Sequence, residues 1–461
     1  MSSSRRSRES QDIESLVHPY TNLEAHLRQG PLIMERGEGV YVFDDQGRRY
    51  LEGMSGLWCA SLGFSEPRLV EAATRQLSKL PYYQLFNSRS HGPAIDLSEK
   101  LLSIAPKSLG KVLYANSGSE ANDAAVKLVW FYNNAMGRPE KKKIISRWRA
   151  YHGVTVASGS LTGLPANHQD FDLPIDRILH TDCPSYYHEA KPGETEAQFT
   201  RRIVGNLEAL IQREGPETVA AFIAEPVNGS GGVIVPPPGY FEQVQAVLKK
   251  YDILFIVDEV ICGFGRTGDM FGSDTFGLEP DIMTVAKALS ASYLPISATL
   301  VSQKIYDRIV ERTKTLGVFA HGVTYSGHPA CAAVALETLK IYEERDIVGH
   351  VREVAPHFQQ RLRALADHPL VGEARGVGLI GALEITQDKG SKTPFGPQHN
   401  IAALVQNKAV DRGVLVRGIR NAVAVSPPLI ITRDQIDELF DGIAHGLDQA
   451  HAVARAEGLV P

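Results

Sequence analysis

Cysteine is scarce in this 461-residue chain: there are four, Cys59, Cys183, Cys262 and Cys331, too far apart for any paired metal-binding spacing. That excludes a disulfide-stapled scaffold and a cysteine-based zinc module, and it fits free thiols in a reducing cytoplasm. No apolar run reaches the length of a membrane-crossing helix. Positive charge is not in excess: 48 Lys and Arg stand against 53 Asp and Glu, a formal net charge of −5. This leaves no basic surface for nucleic acid and no polybasic patch for a membrane. The N-terminal stretch carries arginine and serine with no apolar core behind them, unlike a secretory signal, and Glu9, Asp12 and Glu14 argue against a mitochondrial presequence. Residues 1–10 are expected to be a disordered tail.

What is present is ordinary for a globular enzyme, with 43% apolar and 22% charged residues. The length exceeds that of one domain and implies a large domain with a smaller companion. The chain is organised around residues 251–290. An apolar run over 253–257 has the length of a buried strand and ends on Asp258 and Glu259. A glycine-rich loop follows, then a second apolar run over 282–286 that leads directly into Lys287. An acid and a lysine therefore each stand just past the end of a buried strand, the edge at which open α/β sheets bind ligands. A single lysine is most often a snorkelling surface residue. Paired with Asp258, it also reads as a desolvated amine able to form a Schiff base with a carbonyl. Pyridoxal phosphate (PLP) chemistry needs such a lysine, together with an acid that keeps the pyridine nitrogen protonated.

Further motifs flank this stretch. Residues 114–122, YANSGSEAN, place Ser-Gly-Ser at the start of a helical pattern, where backbone N–H groups and the helix dipole favour an anion. An ordinary cap with Ser119 as the capping residue is the alternative. Tyr151-His152-Gly153 follows a strand-like KKIISR. His152 reads as a structural neighbour rather than a proton carrier. The run 220–227 is a third buried strand, closing on Glu225, which could also be a solvated strand end. Residues 39–54 alternate around Asp45-Gln46-Gly47 as a β-hairpin. Residues 161–214 read as loop excursions with one helix over 194–214. Strand-like runs recur at 376–384, 414–420 and 423–428, after a long helical pattern from about Ala330. Trp58 lies in a glycine-containing loop, where a tryptophan is most often simple core.

VDEVICGFGRTG followed by DIMTVAKALS closely resembles the signature of the class III aminotransferases, PLP enzymes of fold type I, and the chain is most similar to their ω-transaminase branch. The resemblance runs from His18 to about Thr432. It implies an α/β fold: a large PLP-binding domain over residues 61–335 with a mostly parallel, seven-stranded-type sheet. A small α+β domain over 336–461 is joined by an N-terminal segment over 1–60. It implies a transaminase that moves an amino group from an ω-amino acid or amine to pyruvate or a similar 2-oxo acid, through a Lys287 Schiff base and a pyridoxamine form of the cofactor. Other fold type I activities, such as an aminomutase or decarboxylase, and a non-catalytic PLP-binding relative are the alternatives.

The resemblance also assigns roles. Lys287 and Asp258 are catalytic. Gly118 and Ser119 hold the PLP phosphate, Tyr151 stacks on the ring, Glu225 lies near the cofactor's hydroxyl side, and Val260 completes the cofactor site. Thr324, in a stretch that otherwise reads as a polar turn, reaches the phosphate of the partner subunit. That implies a homodimer, or a tetramer, with its sites at the interface. Tyr20 reaches the partner subunit's pocket, or else packs in a surface turn. Trp58 walls the substrate pocket, and Tyr83 and Phe86 add wall from the neighbouring subunit. Arg417 takes the position of a mobile carboxylate clamp, with Arg420 as competitor. No metal, nucleic acid or membrane is implied, and the localisation is cytoplasmic.

Overall fold

Two adjacent strands with no polar residue before their last position, VAAFIA and LFIVD, set the architecture. Such strands are stable only when both faces of the sheet are covered. The computed structural model describes residues 7–460. Its strands are β1 (Met34–Glu38), β2 (Tyr41–Asp44), β3 (Arg49–Glu52), β4 (Leu109–Ala115), β5 (Lys143–Arg147), β6 (Ile178–Thr181), β7 (Val219–Ala224), β8 (Leu254–Asp258), β9 (Ile282–Val285), β10 (Ser297–Ser302), β11 (Val371–Val377), β12 (Ile380–Asp388), β13 (Thr393–Pro394), β14 (Val414–Leu415), β15 (Arg417–Ile419) and β16 (Ala422–Val425).

The central sheet has seven strands in the order β4-β10-β9-β8-β7-β5-β6. Only β10 runs against its neighbours. Strand residues alternate between the two faces, as the period of two demands. Phe222, Ala224, Phe255 and Val257 pack with residues of the helices Glu196–Glu214 and Tyr240–Lys250. Ala221, Ile223, Leu254 and Ile256 pack with residues of the helices Gly118–Ala135 and Gln303–Leu316. The chain is thus a doubly covered, mostly parallel α/β sheet of the expected class. A four-stranded sheet, β1-β2-β3-β14, joins the hairpin expected over 39–54, observed as β2 and β3, to a strand from the C-terminal part of the chain, and a further sheet is built from β11, β12, β16 and β15. Among the described residues no helix is long and apolar enough to cross a membrane.

Four expectations need correction. The tail expected to be disordered carries the start of a helix, Arg8–Ser15, capped by the Ser7 hydroxyl, which accepts from the Ser10 N–H at 3.1 Å; residues 1–6 lie outside the described residues. The single strand expected over 376–384 is the turn of a hairpin: β11 and β12 pair antiparallel around Gly378, whose φ of +56° is left-handed. The strand expected over 414–420 is broken at Val416, so that β14 pairs with β3 and β15 with β16 in different sheets. The loop region 161–214 also contains β6, a four-residue edge strand too short to carry a periodic signal.

Gly378 and Gly205 separate two kinds of glycine. A Cβ on Gly378 would lie 2.4 Å from the Arg266 carbonyl oxygen, whereas one on the exposed helical Gly205 would meet nothing within 4 Å. Gly378→Ala is expected to destabilise the protein by more than about 1 kcal/mol. Gly205→Ala is expected to stabilise it by about 0.5–1 kcal/mol. Paired thermal denaturation curves, with midpoints moving in opposite directions, check both.

Candidate active site

Strands β4, β5, β7, β8 and β9 run in the same direction, so the segments that leave them meet at one edge of the sheet. Gly118 and Ser119 follow β4, Tyr151 and His152 follow β5, Glu225 follows β7, Asp258 closes β8, and Lys287 follows β9. All line one cavity of about 130 Å³, together with Val260. A second cavity of about 500 Å³ adjoins it, lined by Tyr20, Trp58, Tyr151, Lys287, Arg417 and Arg420 among others. Lys287 and Tyr151 belong to both.

Asp258 is buried, at 3% exposure. Its Oδ2 accepts from Asn122 Nδ2 at 2.8 Å and lies 2.8 Å from His152 Nδ1, and its Oδ1 accepts from the Val260 N–H at 3.0 Å. Burial pushes its pKa up, but the hydrogen bond and charge of His152, with the hydrogen bonds from Asn122 and the Val260 N–H, outweigh this and hold it below the usual aspartate value. A carboxylate accepts only, so His152 Nδ1 carries the proton. Thr284 Oγ1 donates to Asn122 Oδ1 at 2.9 Å, which fixes the amide with its NH₂ toward Asp258. The lowered pKa makes ionised Asp258 a stabilising group above the usual aspartate range, with its contribution lost as pH falls through the lowered value.

Lys287 has the opposite balance. Burial lowers its pKa, and attraction to Asp258 only partly restores it, so a larger share of the amine is neutral and nucleophilic. Its backbone is left-handed, with φ of 48°, a conformation that costs energy and collects at functional sites. Glu225 accepts from the N–H groups of Tyr151 and Gly229 at 3.0 and 3.1 Å, and burial pushes its pKa up to about 7.

The helix Gly118–Ala135 is capped by Ser117, not Ser119. The Ser117 hydroxyl accepts from the Glu120 N–H, and Glu120 Oε2 accepts from the N–H groups of Asn116 and Ser117. The cap uses these amides and leaves those of Gly118 and Ser119 at the open helix end, beside the small cavity. A Cβ on Gly153, whose φ is +130°, would lie 2.4 Å from Ser119 Oγ, so only glycine lets the chain pass here. An anion-binding helix end, a buried acid, a flat aromatic and a shielded amine around one small cavity match the donor set of a phosphorylated pyridine aldehyde.

Trp58, at 2% exposure, is both wall and core, since it also packs with Met54, Val227 and Ile380. Tyr20 lines this chain's larger cavity, its ring edge-on to Tyr151 at 6.4 Å and its hydroxyl accepting from Asn167 Nδ2 at 2.5 Å. Tyr83, Phe86 and Thr324 lie outside both cavities, on an exposed surface where Tyr82 donates to the Thr324 carbonyl at 2.8 Å and Phe86 packs against Gly322. Arg417 and Arg420 both line the larger cavity, and among the described residues neither forms an ion pair with a carboxylate. Sequence reasoning missed Asn122 and Thr284. The signal for Asn122 was its spacing, one helical turn after Gly118 and so on the same face.

The chain belongs to the class III aminotransferases: the profile of that family, "Aminotransferase class-III", matches residues 24–447. It is therefore a PLP-dependent aminotransferase of fold type I, with residues that fit the cofactor. It is 55% identical over 410 residues to gamma-aminobutyrate transaminase 1, mitochondrial, of Oryza sativa subsp. japonica, covering 89% of this chain and 80% of that protein. The solved ω-transaminase from Pseudomonas jessenii in complex with PMP superposes with a TM-score of 0.96 at 50% identity, covering 97% of this chain and 99% of that one. A transaminase solved with L-Ala is 56% identical, with a TM-score of 0.90, covering 92% of this chain and all of that one.

Removing the amide that holds Asp258 tests the network. Loss of a hydrogen bond to a buried charge is worth about 1.5–3 kcal/mol, so Asn122→Ala is expected to raise the Asp258 pKa and shift the acid limb of the activity profile to higher pH. Cofactor should still bind. A pH–rate profile with an unmoved acid limb would assign Asn122 a packing role alone.

Proposed function

We propose that this enzyme transfers an amino group from an ω-amino acid or a simple amine to pyruvate or a similar 2-oxo acid. The carrying observation is the place of Lys287: one shielded amine shared by a small polar cavity that contains Asp258 and a larger one that contains Arg417. Gly118 and Ser119 would hold the cofactor phosphate, Tyr151 the face of its ring, and Glu225 and Val260 its flanks. Bound there, PLP supplies a carbonyl for amine condensation and a ring that delocalises the electrons freed at the substrate carbon. Asp258, kept ionised, favours a proton on the ring nitrogen. Lys287, in its neutral form, would be the amine that holds the cofactor and the base that takes the proton from the substrate carbon. Trp58 and Tyr20 wall the larger cavity in which the substrate would sit.

Arg417 offers a guanidinium fork to a substrate carboxylate. The similarity to a gamma-aminobutyrate transaminase favours a donor whose carboxylate lies away from its amine, and the similarity to a transaminase solved with L-Ala favours the alanine–pyruvate pair. The joint exposure of Tyr83, Phe86 and Thr324 on one surface supports a homodimer or tetramer in which they complete the neighbour's site. Four free cysteines fit a reducing compartment such as the cytoplasm.

A donor panel with pyruvate as acceptor, read by alanine formation, tests the reaction. Lys287→Ala is expected to retain cofactor through the phosphate cup while losing the absorbance of the lysine-bound form and all multiple turnover. Sustained transamination by that variant would overturn the assignment. Arg417→Ala removes a paired, charge-assisted contact worth about 2–4 kcal/mol, so use of pyruvate should fall roughly thirty-fold or more. The half-reaction with a carboxylate-free amine should change little, and Arg420→Ala should leave both nearly intact. Equal losses for pyruvate and the neutral amine would make Arg417 structural, and a larger pyruvate loss in Arg420→Ala would move the clamp to that residue.

A further inference from the structure

Away from the catalytic edge, three metal-binding side chains converge near the N-terminus. Asp12 lies on the helix Arg8–Ser15, His26 on the helix Leu23–Gln29, and His18 in the loop between them. One ligand atom from each lies within 4.8 Å of the other two. His18 Nε2 is 2.9 and 3.0 Å from the two Asp12 carboxylate oxygens, and His26 Nε2 is 3.2 Å from Asp12 Oδ1. With zinc bonds of about 2.0–2.2 Å to nitrogen and oxygen, neighbouring ligand atoms of a tetrahedral centre stand about 3.3–3.5 Å apart. The three groups are therefore near coordination spacing with small movements.

An ordinary Asp–His hydrogen bond accounts for His18 but not for His26. His26 is only 9% exposed, and among the described residues its buried Nε2 has no hydrogen-bond partner despite the nearby carboxylate. A buried ring nitrogen left so is costly. If it carries a lone pair, it faces a negatively charged oxygen. A cation between them relieves both. We propose that Asp12, His18 and His26 bind one divalent transition-metal ion, with zinc the best match to two imidazoles and one carboxylate and a fourth position open to water.

The ion would tie together the two helices on either side of the Pro19-Tyr20 turn. Tyr20 is held there with φ of 52° and its ring against Tyr151. Glu9 already packs over the end of the second helix, where a Cβ on Gly30 would lie 2.3 Å from its carboxylate. The metal thus braces one wall of the larger cavity without entering it, and the inference is independent of the substrate proposed above.

The test uses the full, cofactor-loaded chain, freed of metal by a chelator, then titrated with Zn(II) by calorimetry and with Co(II) by visible absorption. One ion per chain, a higher Tm with Zn(II) and visible bands from bound Co(II) are expected. His26→Gln and Asp12→Asn should each weaken Zn(II) binding by more than about 100-fold, beyond the cost of losing an outer-shell partner. Both should keep normal cofactor absorbance and far-UV circular dichroism; if either does not, His18→Gln replaces it. Absence of stoichiometric binding to the unaltered chain, or unchanged affinity in folded His26→Gln, overturns the site.

Discussion

A single buried negative charge organises the catalytic edge. Asp258 sits where water cannot solvate it, so its ionised form exists only because Asn122, His152 and the Val260 amide point hydrogen atoms at it. Each of these donors comes from a different place: the helix after β4, the segment after β5, and the turn after β8 itself. Holding the charge therefore means holding those three segments in register. That register also brings the open helix end of Gly118 and Ser119, and the shielded amine of Lys287, around the same small cavity. Thr284 extends the network to β9 by fixing which way the Asn122 amide points.

Burial acts with opposite sign on the ionisable groups of this cavity. It raises Glu225 to about 7, where among the described residues no cation is hydrogen-bonded to its carboxylate, and it lowers Lys287, where Asp258 gives incomplete compensation. For Asp258 alone the donors win. One cavity thus holds a carboxyl made more acidic and an amine made less basic than usual, the separation that acid–base chemistry at a carbon centre requires. The sheet supplies the rigidity. Its two middle strands are covered on both faces by helices, so the loops at its edge can adopt strained conformations, including the left-handed backbone at Lys287, without the strands yielding.

The larger cavity is assembled from more distant parts of the chain: Tyr20 near the N-terminus, Trp58 after β3, and Arg417 from β15. β14 pairs with β3, and β15, two residues further on, belongs to another sheet. The break at Val416 therefore places Arg417 where the two small sheets meet the larger cavity.

The sequence by itself determined the class of sheet, its buried strands and the residues at their ends. Apolar runs such as 253–257 and 282–286 record local burial, and a carboxylate or lysine that ends such a run is conspicuous because burial is costly for it. Asp258, Lys287, Glu225 and the Ser-Gly-Ser helix start were legible for that reason. Only the tertiary structure decided what those groups touch. The bond between Asn122 and Asp258 spans 136 residues, and no local pattern encodes it. The packing of Tyr20 beside Tyr151, the break at Val416 and the meeting of Asp12, His18 and His26 were equally hidden. Hydrophobic periodicity reports which face of an element is buried. Which side chains from separate elements come within 3 Å of one another is set by how those elements pack.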